Sequence, residues 1–315
     1  PEHARHTIQG EIARGGMGVV FAARDEILRR DLAVKKVVSD TVPGTQATPT
    51  TATPVERLPM LVRRLMEEAQ VTAQLDHSGV VPVHELGVDD EGHVYFTMKR
   101  VRGRTLAEVF DLVREGRSGW TLGRALHTFL KICETLAYAH GKGVIHRDLK
   151  PANVMVGTYG EVFVMDWGLA KVRGDAPASR EPEPDKGGPR GAPRSVVLTD
   201  QAELARLHHE VALTLDGDVV GTLGYMPPEQ ARGDLEHLDE RSDLWSLGAM
   251  LYELFAGQAP YCDGPEGRAV GSVLTRYRTG RPTPLVELAP GTPPELVSVI
   301  ERAMAHDPDH RFASA

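Results

Sequence analysis

The residues of this chain best suited to chemistry lie in VIHRDLKPANVM, Val144 to Met155. There His146, Arg147, Asp148, Lys150 and Asn153 crowd around Pro151. Pro151 lacks a backbone donor and biases Lys150 away from helical angles, so the run is no regular helix, and it does not alternate as a strand would. A second such point is VMDWGLA, where Asp166 stands between a strand-like run and a glycine. Asn153 and Asp166 offer two oxygen ligands of the kind hard Mg²⁺ takes jointly with phosphates. Asp148 is then left to accept a proton from an incoming hydroxyl. Lys150, two residues on, can balance charge on a group in transfer.

Phosphate chemistry needs cations and amides, and candidates lie upstream. ARGGMGVV places Gly15, Gly16 and Gly18 between two strand-like runs, where backbone amides can approach phosphate oxygens without Cβ interference. An ordinary hairpin has the same look. Lys35 ends LAVK and is either a solvated edge charge or a phosphate cation. In the second case it needs a carboxylate to orient it, and Glu68 serves, unless Glu68 is one member of a solvated helix face.

The elements that must position these groups fall into two regions. TIQGEIA, VVFAARD, DLAVKKVV, VVPVHELG and HVYFTMKRV read as strands, the last two joined by the turn DDEG. Between them, residues 56–75 carry Leu61, Leu65, Val71 and Leu75 at helical spacing. After Gly103 the character becomes helical. Thr105 and Glu108 form a capping box. Thr121 opens a helix whose apolar face is expected to be Leu122, Leu126, Phe129, Leu130, Cys133, Leu136 and Ala137. SDLWSLGAMLYELFAG is apolar almost all round, as a buried helix is, and PPELVSVIERAMAH is amphipathic. Thr41–Pro54 reads as a mobile loop and Gly174–Arg194 as disordered, with a short amphipathic helix expected around Leu204 to Leu215.

Bulk properties narrow the classes. A net charge of −8 argues against general nucleic-acid binding. Cys133 and Cys262 are the only cysteines, which excludes a disulfide framework and suggests a reducing compartment. No apolar run approaches the roughly 20 residues that span a bilayer. The abrupt start at Pro1 and the end at RFASA, where a helix is expected to be starting, suggest a fragment of a longer protein. The expected location is the cytosol, as a free domain or as part of a longer, membrane-anchored protein.

In order along nearly the whole chain, these segments resemble the protein kinase family. GGMGVV resembles its Gly-rich loop, LAVK its Lys-bearing strand, HRDLKPAN its catalytic loop and DWG its DFG motif. GTLGYMPPEQ resembles the substrate-binding strip with its APE end, and SDLWSLG and DPDHRF resemble later landmarks. GGMG, and EAQ around Glu68, look most like bacterial Ser/Thr kinases of the eukaryotic-like type. The resemblance implies an α+β, two-lobed fold. A small antiparallel β-sheet lobe with one helix would take residues 1–101, and a larger, mainly helical lobe 102–315, with a long insertion in the activation segment at about 173–220.

It also implies ATP and Mg²⁺ as cofactors, with Mn²⁺ as a substitute, and protein Ser/Thr hydroxyls as substrates. Lys35, held by Glu68, would contact the α/β-phosphates; Asp148 would be the base; Asn153 and Asp166 would hold the metal. Lys150 and Thr222 favour Ser/Thr over Tyr substrates. Adenine would lie between Ile12, Val20 and Ala33 on one side and Met155 on the other, with Met98 as gatekeeper and backbone groups of Lys99 and Val101 reading its edge. His146 is structural, Asp243 would brace the catalytic loop, and Glu229 would pair with Arg311. Arg147 would grip a phosphorylated activation loop, with Thr214 the best-placed acceptor and Ser195 and Thr199 behind it, and self-association would serve trans-autophosphorylation. Ala13 for the first loop Gly, Trp167 for Phe, a basic hinge at Lys99 and Arg100, and PPE for APE are departures that remove no catalytic group. A nucleotide-binding pseudokinase scaffold and a small-molecule phosphotransferase are the competing readings.

Overall fold

A computed structural model describes residues 5–15, 18–37, 54–172, 223–234, 238–262 and 280–315, without the side chains of 54–59. Gly16, Ser195, Thr199, Thr214 and Thr222 lie outside the described residues, as do the expected disordered stretch, the short amphipathic helix and the expected mobile loop up to Thr53, whereas Pro54 is helical.

Five strands form one antiparallel sheet in the order β1-β2-β3-β5-β4: β1 (His6–Gly15), β2 (Gly18–Asp25), β3 (Arg30–Lys36), β4 (Val83–Val88) and β5 (Val94–Lys99). The β1–β2 hairpin closes on the pair Gly15–Gly18. Gly18 must be glycine, because its φ is +142° and a Cβ there would lie 2.5 Å from the Lys36 carbonyl oxygen of β3. β4 begins three residues later than VVPVHELG suggests. Pro82 has no N–H to give a ladder, and Val80 instead makes a parallel bridge to Val164, in the other lobe.

Helix α1 (Pro54–Gln74) packs on β4 and β5. Leu65 and Ala69 meet Val37 and Phe96 in a small cluster of their own. Burying Leu65 stabilises by about 1.5–3 kcal/mol. Val71 and Leu75 belong instead to the main core of the helical lobe. One helix is thereby fixed to both lobes, and Glu68 lies within its first anchor, between Leu65 and Ala69.

The second lobe contains β6 (Gly103–Thr105), α2 (Leu106–Arg114), α3 (Leu122–Gly141), β7 (Val144–Ile145), β8 (Val154–Gly157), β9 (Val162–Val164) and β10 (Lys171–Val172). Then come α4 (Pro228–Ala231), α5 (Glu240–Ala256), α6 (Leu285–Leu288) and α7 (Pro294–Ala303). The Thr105–Glu108 capping box opens α2, and Thr121 caps α3. The buried face of α3 is rotated from the expected one. Ala125, Thr128, Phe129, Ile132, Thr135, Leu136 and Ala139 face inward, while Leu130 is 61% exposed and Leu122 and Ala137 are exposed too. Thr135 takes its place on that face because a neighbour approaches closely there: a Cβ on Gly79 would lie 1.9 Å from Thr135 Oγ1. α5 is buried on all sides, from Ser242 to Met250 without a break. No helix starts in RFASA; the chain leaves a 3₁₀ turn at Pro308–His310 and packs Phe312 under the Arg302 guanidinium, 4.4 Å from the ring centroid.

Candidate active site

Lys35 sits in the middle of the sheet, between Val20 of β2 and Phe96 of β5. Its Nζ is 2.7 Å from both carboxylate oxygens of Glu68. The same ammonium lies 3.4 Å from Asp166 Oδ1, which belongs to the other lobe. Burial disfavours the Lys35 charge, but Asp166 and Glu68 outweigh it and hold the ammonium above its ordinary pKa. Burial pushes Glu68 upward, Lys35 opposes this, and Asp166 adds to it.

The loop after β7 hangs on one carboxylate. Asp243, fully buried in the first turn of α5, accepts from the His146 N–H at 2.8 Å and the Arg147 N–H at 2.9 Å. His140 Nε2 meets the same carboxylate at 2.8 Å. Only His146 stands out among the thirteen histidines of the sequence; His140 does not, because its role depends on where the end of α3 meets α5. Burial alone would raise Asp243, but His140 and the loop donors reverse the sign and hold it below 3.8. A carboxylate depressed by folding stabilises the fold above its unfolded pKa and loses that contribution as pH falls. Asp243→Asn is therefore expected to melt earlier than the parent at neutral pH, with the gap narrowing as pH drops below about 4; thermal melts across that range check it.

His146 continues the brace. Its Nδ1 accepts from the Asp148 N–H at 3.3 Å and its Nε2 meets the Met165 carbonyl at 2.9 Å. Those partners assign a neutral ring protonated on Nε2. Asp148 carries Lys150 Nζ at 3.0 Å on Oδ2. Asn153 Nδ2 donates to the Asp148 carbonyl at 2.8 Å and to its Oδ2 at 3.0 Å. With its NH₂ committed there, the Asn153 amide oxygen is the atom left for a cation. Burial raises the Asp148 pKa, Lys150 pulls it down and Asp166 adds to the rise. Asp166 behaves oppositely: burial would raise it, but Lys35 leads the charges that hold it low. One carboxylate is thus biased to accept a proton and the other to stay ionised. Asn153 and Asp166 supply a neutral and an anionic oxygen, a donor set that suits a hard divalent cation.

Ala33 is buried beneath the hairpin and pairs with Met98. Val20, Met98, Val101 and Met155 are half-buried, and Ile12 is exposed. The Lys99 N–H donates to the Pro82 carbonyl at 3.0 Å, which leaves the Lys99 carbonyl as the group that could read a base edge. The Lys99 ammonium lies over the Phe163 ring, 4.6 Å from its centroid. Farther off, the substrate-strip residues Leu223–Met226 run into α4, where Glu229 takes a bidentate bond from buried Arg311, 2.8 Å at each oxygen. Ser242 also donates to Glu229, at 2.9 Å. Elsewhere Asp89, Glu91 and His93 bring their ligand atoms together, but the Lys36 ammonium stands 3.3 Å from Asp89 and takes the place of a cation.

A cation in a sheet lobe facing two differently tuned carboxylates in a helical lobe is a phosphotransferase arrangement, and the chain's relatives agree. It matches the protein kinase domain over residues 6–182 and 198–315, and belongs to that family. It is 34% identical over 261 residues to the serine/threonine-protein kinase PknD of Protochlamydia amoebophila, covering 80% of this chain and 23% of that protein. PknD of Chlamydia muridarum is 31% identical over 319 residues, 96% of this chain and 29% of the relative. A probable serine/threonine-protein kinase PknB of Corynebacterium glutamicum is 31% identical over 318 residues, 99% and 40% respectively. The chain spans less than half the length of these relatives. Among the described residues, no helix is long and apolar enough to cross a membrane.

Proposed function

We propose that this chain is the catalytic domain of a serine/threonine protein kinase, transferring the γ-phosphate of ATP to protein hydroxyls. The observation that carries the reading is the closed Lys35–Glu68 pair at 2.7 Å with Asp166 3.4 Å from the same ammonium. That contact joins the sheet lobe to the helical lobe with the site's groups already assembled. Lys35 binds and orients the α/β-phosphates, and Glu68 keeps it from swinging away. Asn153 and Asp166 would hold Mg²⁺, which would neutralise phosphate charge. Asp148 orients the acceptor hydroxyl and takes its proton, while Lys150 faces the transferring group. Ser/Thr selectivity draws support from Lys150 and from the serine/threonine-protein kinases that the chain resembles. The test is labelled γ-phosphate transfer with Mg²⁺ onto a generic protein substrate, followed by phosphoamino-acid analysis. Label on Ser and Thr is expected; label on Tyr alone, or on a small molecule only, sinks the reading.

Regulation by phosphorylation of the activation segment belongs to the same proposal. Arg147 is 8% exposed and its Nε has no hydrogen-bond partner among the described residues. Burial pulls its pKa down to about 10, only partly offset by Asp243. It is still charged at neutral pH, and a phosphate would supply the missing anion. Thr214, Ser195 and Thr199 are the candidate acceptors. Phosphopeptide mapping after incubation with ATP is expected to find phosphate between Ala170 and Val220; none there removes the idea.

A further inference from the structure

Residues 99–104 read KRVRGR, four cations in six positions of a chain whose net charge is −8. They run from the end of β5, across the join between the lobes, into β6. Lys99 lies over the Phe163 ring. Of the others, Arg102 and Arg104 are exposed and Arg100 is half-buried. Arg102 pairs with Asp31, but Asp31 also holds Arg24, 3.2 Å away, so that cluster keeps a surplus positive charge. Arg100 reaches the neutral Gln9 amide oxygen at 3.5 Å, and Arg104 has no carboxylate partner among the described residues. Glu108, the first carboxylate after the strip, is turned instead onto the Thr105 N–H at 2.7 Å and hydroxyl at 3.0 Å. Permanently charged guanidinium forks left in this way favour carboxylate partners.

The strip adjoins the loop that carries Asp148. Arg104 pairs with Val156 and Thr105 with Met155 of β8, and β6 packs on the Pro151–Asn153 turn that follows Lys150. Ala152, the exposed residue of that turn, brings no anion to the rim. An extended peptide advances about 3.3 Å per residue, so with its hydroxyl at Asp148 the side chains three to five places away lie about 10–16 Å off, enough to pass the turn and meet β6. The chain's own candidate acceptors carry the complementary sign. Asp200 follows Thr199 directly, Glu210, Asp216 and Asp218 surround Thr214, and no Lys or Arg lies between Arg206 and Arg232. We propose that Arg100, Arg102 and Arg104 select the substrate: the acceptor hydroxyl is taken in an acidic segment, and the residues around Thr214 form one. The inference rests on the reading of the chain as a protein kinase. Rim charges of this kind act on encounter and on discrimination between partners, and salt weakens them.

The test uses three peptides in which Thr214 is the one hydroxyl acceptor: residues 207–220 as they stand, the same with Glu210→Gln, Asp216→Asn and Asp218→Asn, and the same with Lys at those three positions. The kcat/KM for phosphate transfer is measured on each, and binding of the fluorescently labelled peptides to the ADP-saturated protein is followed by anisotropy. The acidic peptide is expected to exceed the neutral one by about five- to tenfold and the lysine one by more, with the advantage shrinking as salt is raised. Arg100→Glu/Arg104→Glu should reverse the order of the acidic and lysine peptides, while KM for ATP and transfer to the neutral peptide stay as in the parent. Equal kcat/KM on the three peptides, or an unchanged order in the double variant, overturns the inference. So does transfer to a generic protein substrate but to none of the peptides. Transfer to no substrate at all overturns the kinase reading instead, and the anisotropy order still decides whether the strip holds acidic segments.

Discussion

Asp148→Asn is expected to reduce phosphate transfer by about a thousandfold, within the 10²–10⁴ range of a positioned acid–base group. Nucleotide affinity should be unchanged, because Asp148 lies in the helical lobe, away from the hairpin, and is bonded to Lys150 and Asn153. Asparagine keeps the shape, so the loop's anchor on Asp243 and the His146 bridge survive. What it loses is the capacity to take the proton. Burial raises the Asp148 pKa above its ordinary 3.8, so in the parent the rate should climb with pH through that raised value, as a base must be deprotonated to act. The acid limb should be absent from the residual activity of the variant. Equal transfer by parent and variant would show that the label comes from another enzyme, or that Asp148 is not the base.

Glu229→Ala should produce a large loss of stability in the helical lobe. Arg311 is completely buried and its bidentate bond to Glu229 joins the substrate strip to the C-terminal end of the chain. Removing one partner of a buried ion pair leaves an uncompensated charge and costs about 3–5 kcal/mol. For a domain of this size that lowers the midpoint by on the order of 10 °C. Arg311 would retain the Ala305 and Arg241 carbonyls, at 2.8 and 2.9 Å, but no anion among the described residues. The double variant Glu229→Leu/Arg311→Met is therefore expected to be more stable than Glu229→Ala alone, since an apolar pair of similar volume has no charge to desolvate. Scanning calorimetry on the three proteins decides it. A loss below about 1 kcal/mol in Glu229→Ala would mean that water reaches Arg311 and that the strip is not anchored there.

Much of the site is legible along the chain because its chemistry is carried by short stretches. Asp148, Lys150 and Asn153 come from one loop, and the Pro among them announces an irregular backbone by its covalent geometry alone. The capping box at Thr105 is equally legible, since a cap is a local hydrogen-bond pattern. The expected face of α3 fails for the opposite reason. Leu130 fits an apolar stripe, yet it points to solvent while Thr128 and Thr135 are buried. Hydropathy ranks residues by type, whereas the close approach of Gly79 to α3 selects them by size and by a local bond, as when Thr135 satisfies its hydroxyl on the Lys131 carbonyl.

The order of residues is enough to point to the family and the two kinds of lobe, and to nominate the groups proposed to bind phosphate, hold a cation and accept a proton. Spacing along the chain carries that information because each motif closes on itself within a few residues. How those groups are tuned is a property of the packed fold. The pairing of Lys35 with Glu68, 33 residues on, can be anticipated from the chain, but nothing in the 131 residues up to Asp166 indicates that this carboxylate reaches the same ammonium. Nor does any local pattern reveal that His140 shares Asp243 with the catalytic loop. A charge's pKa and a side chain's hold on its neighbour depend on burial and on distances of a few ångströms. Those quantities exist only once remote segments are packed together.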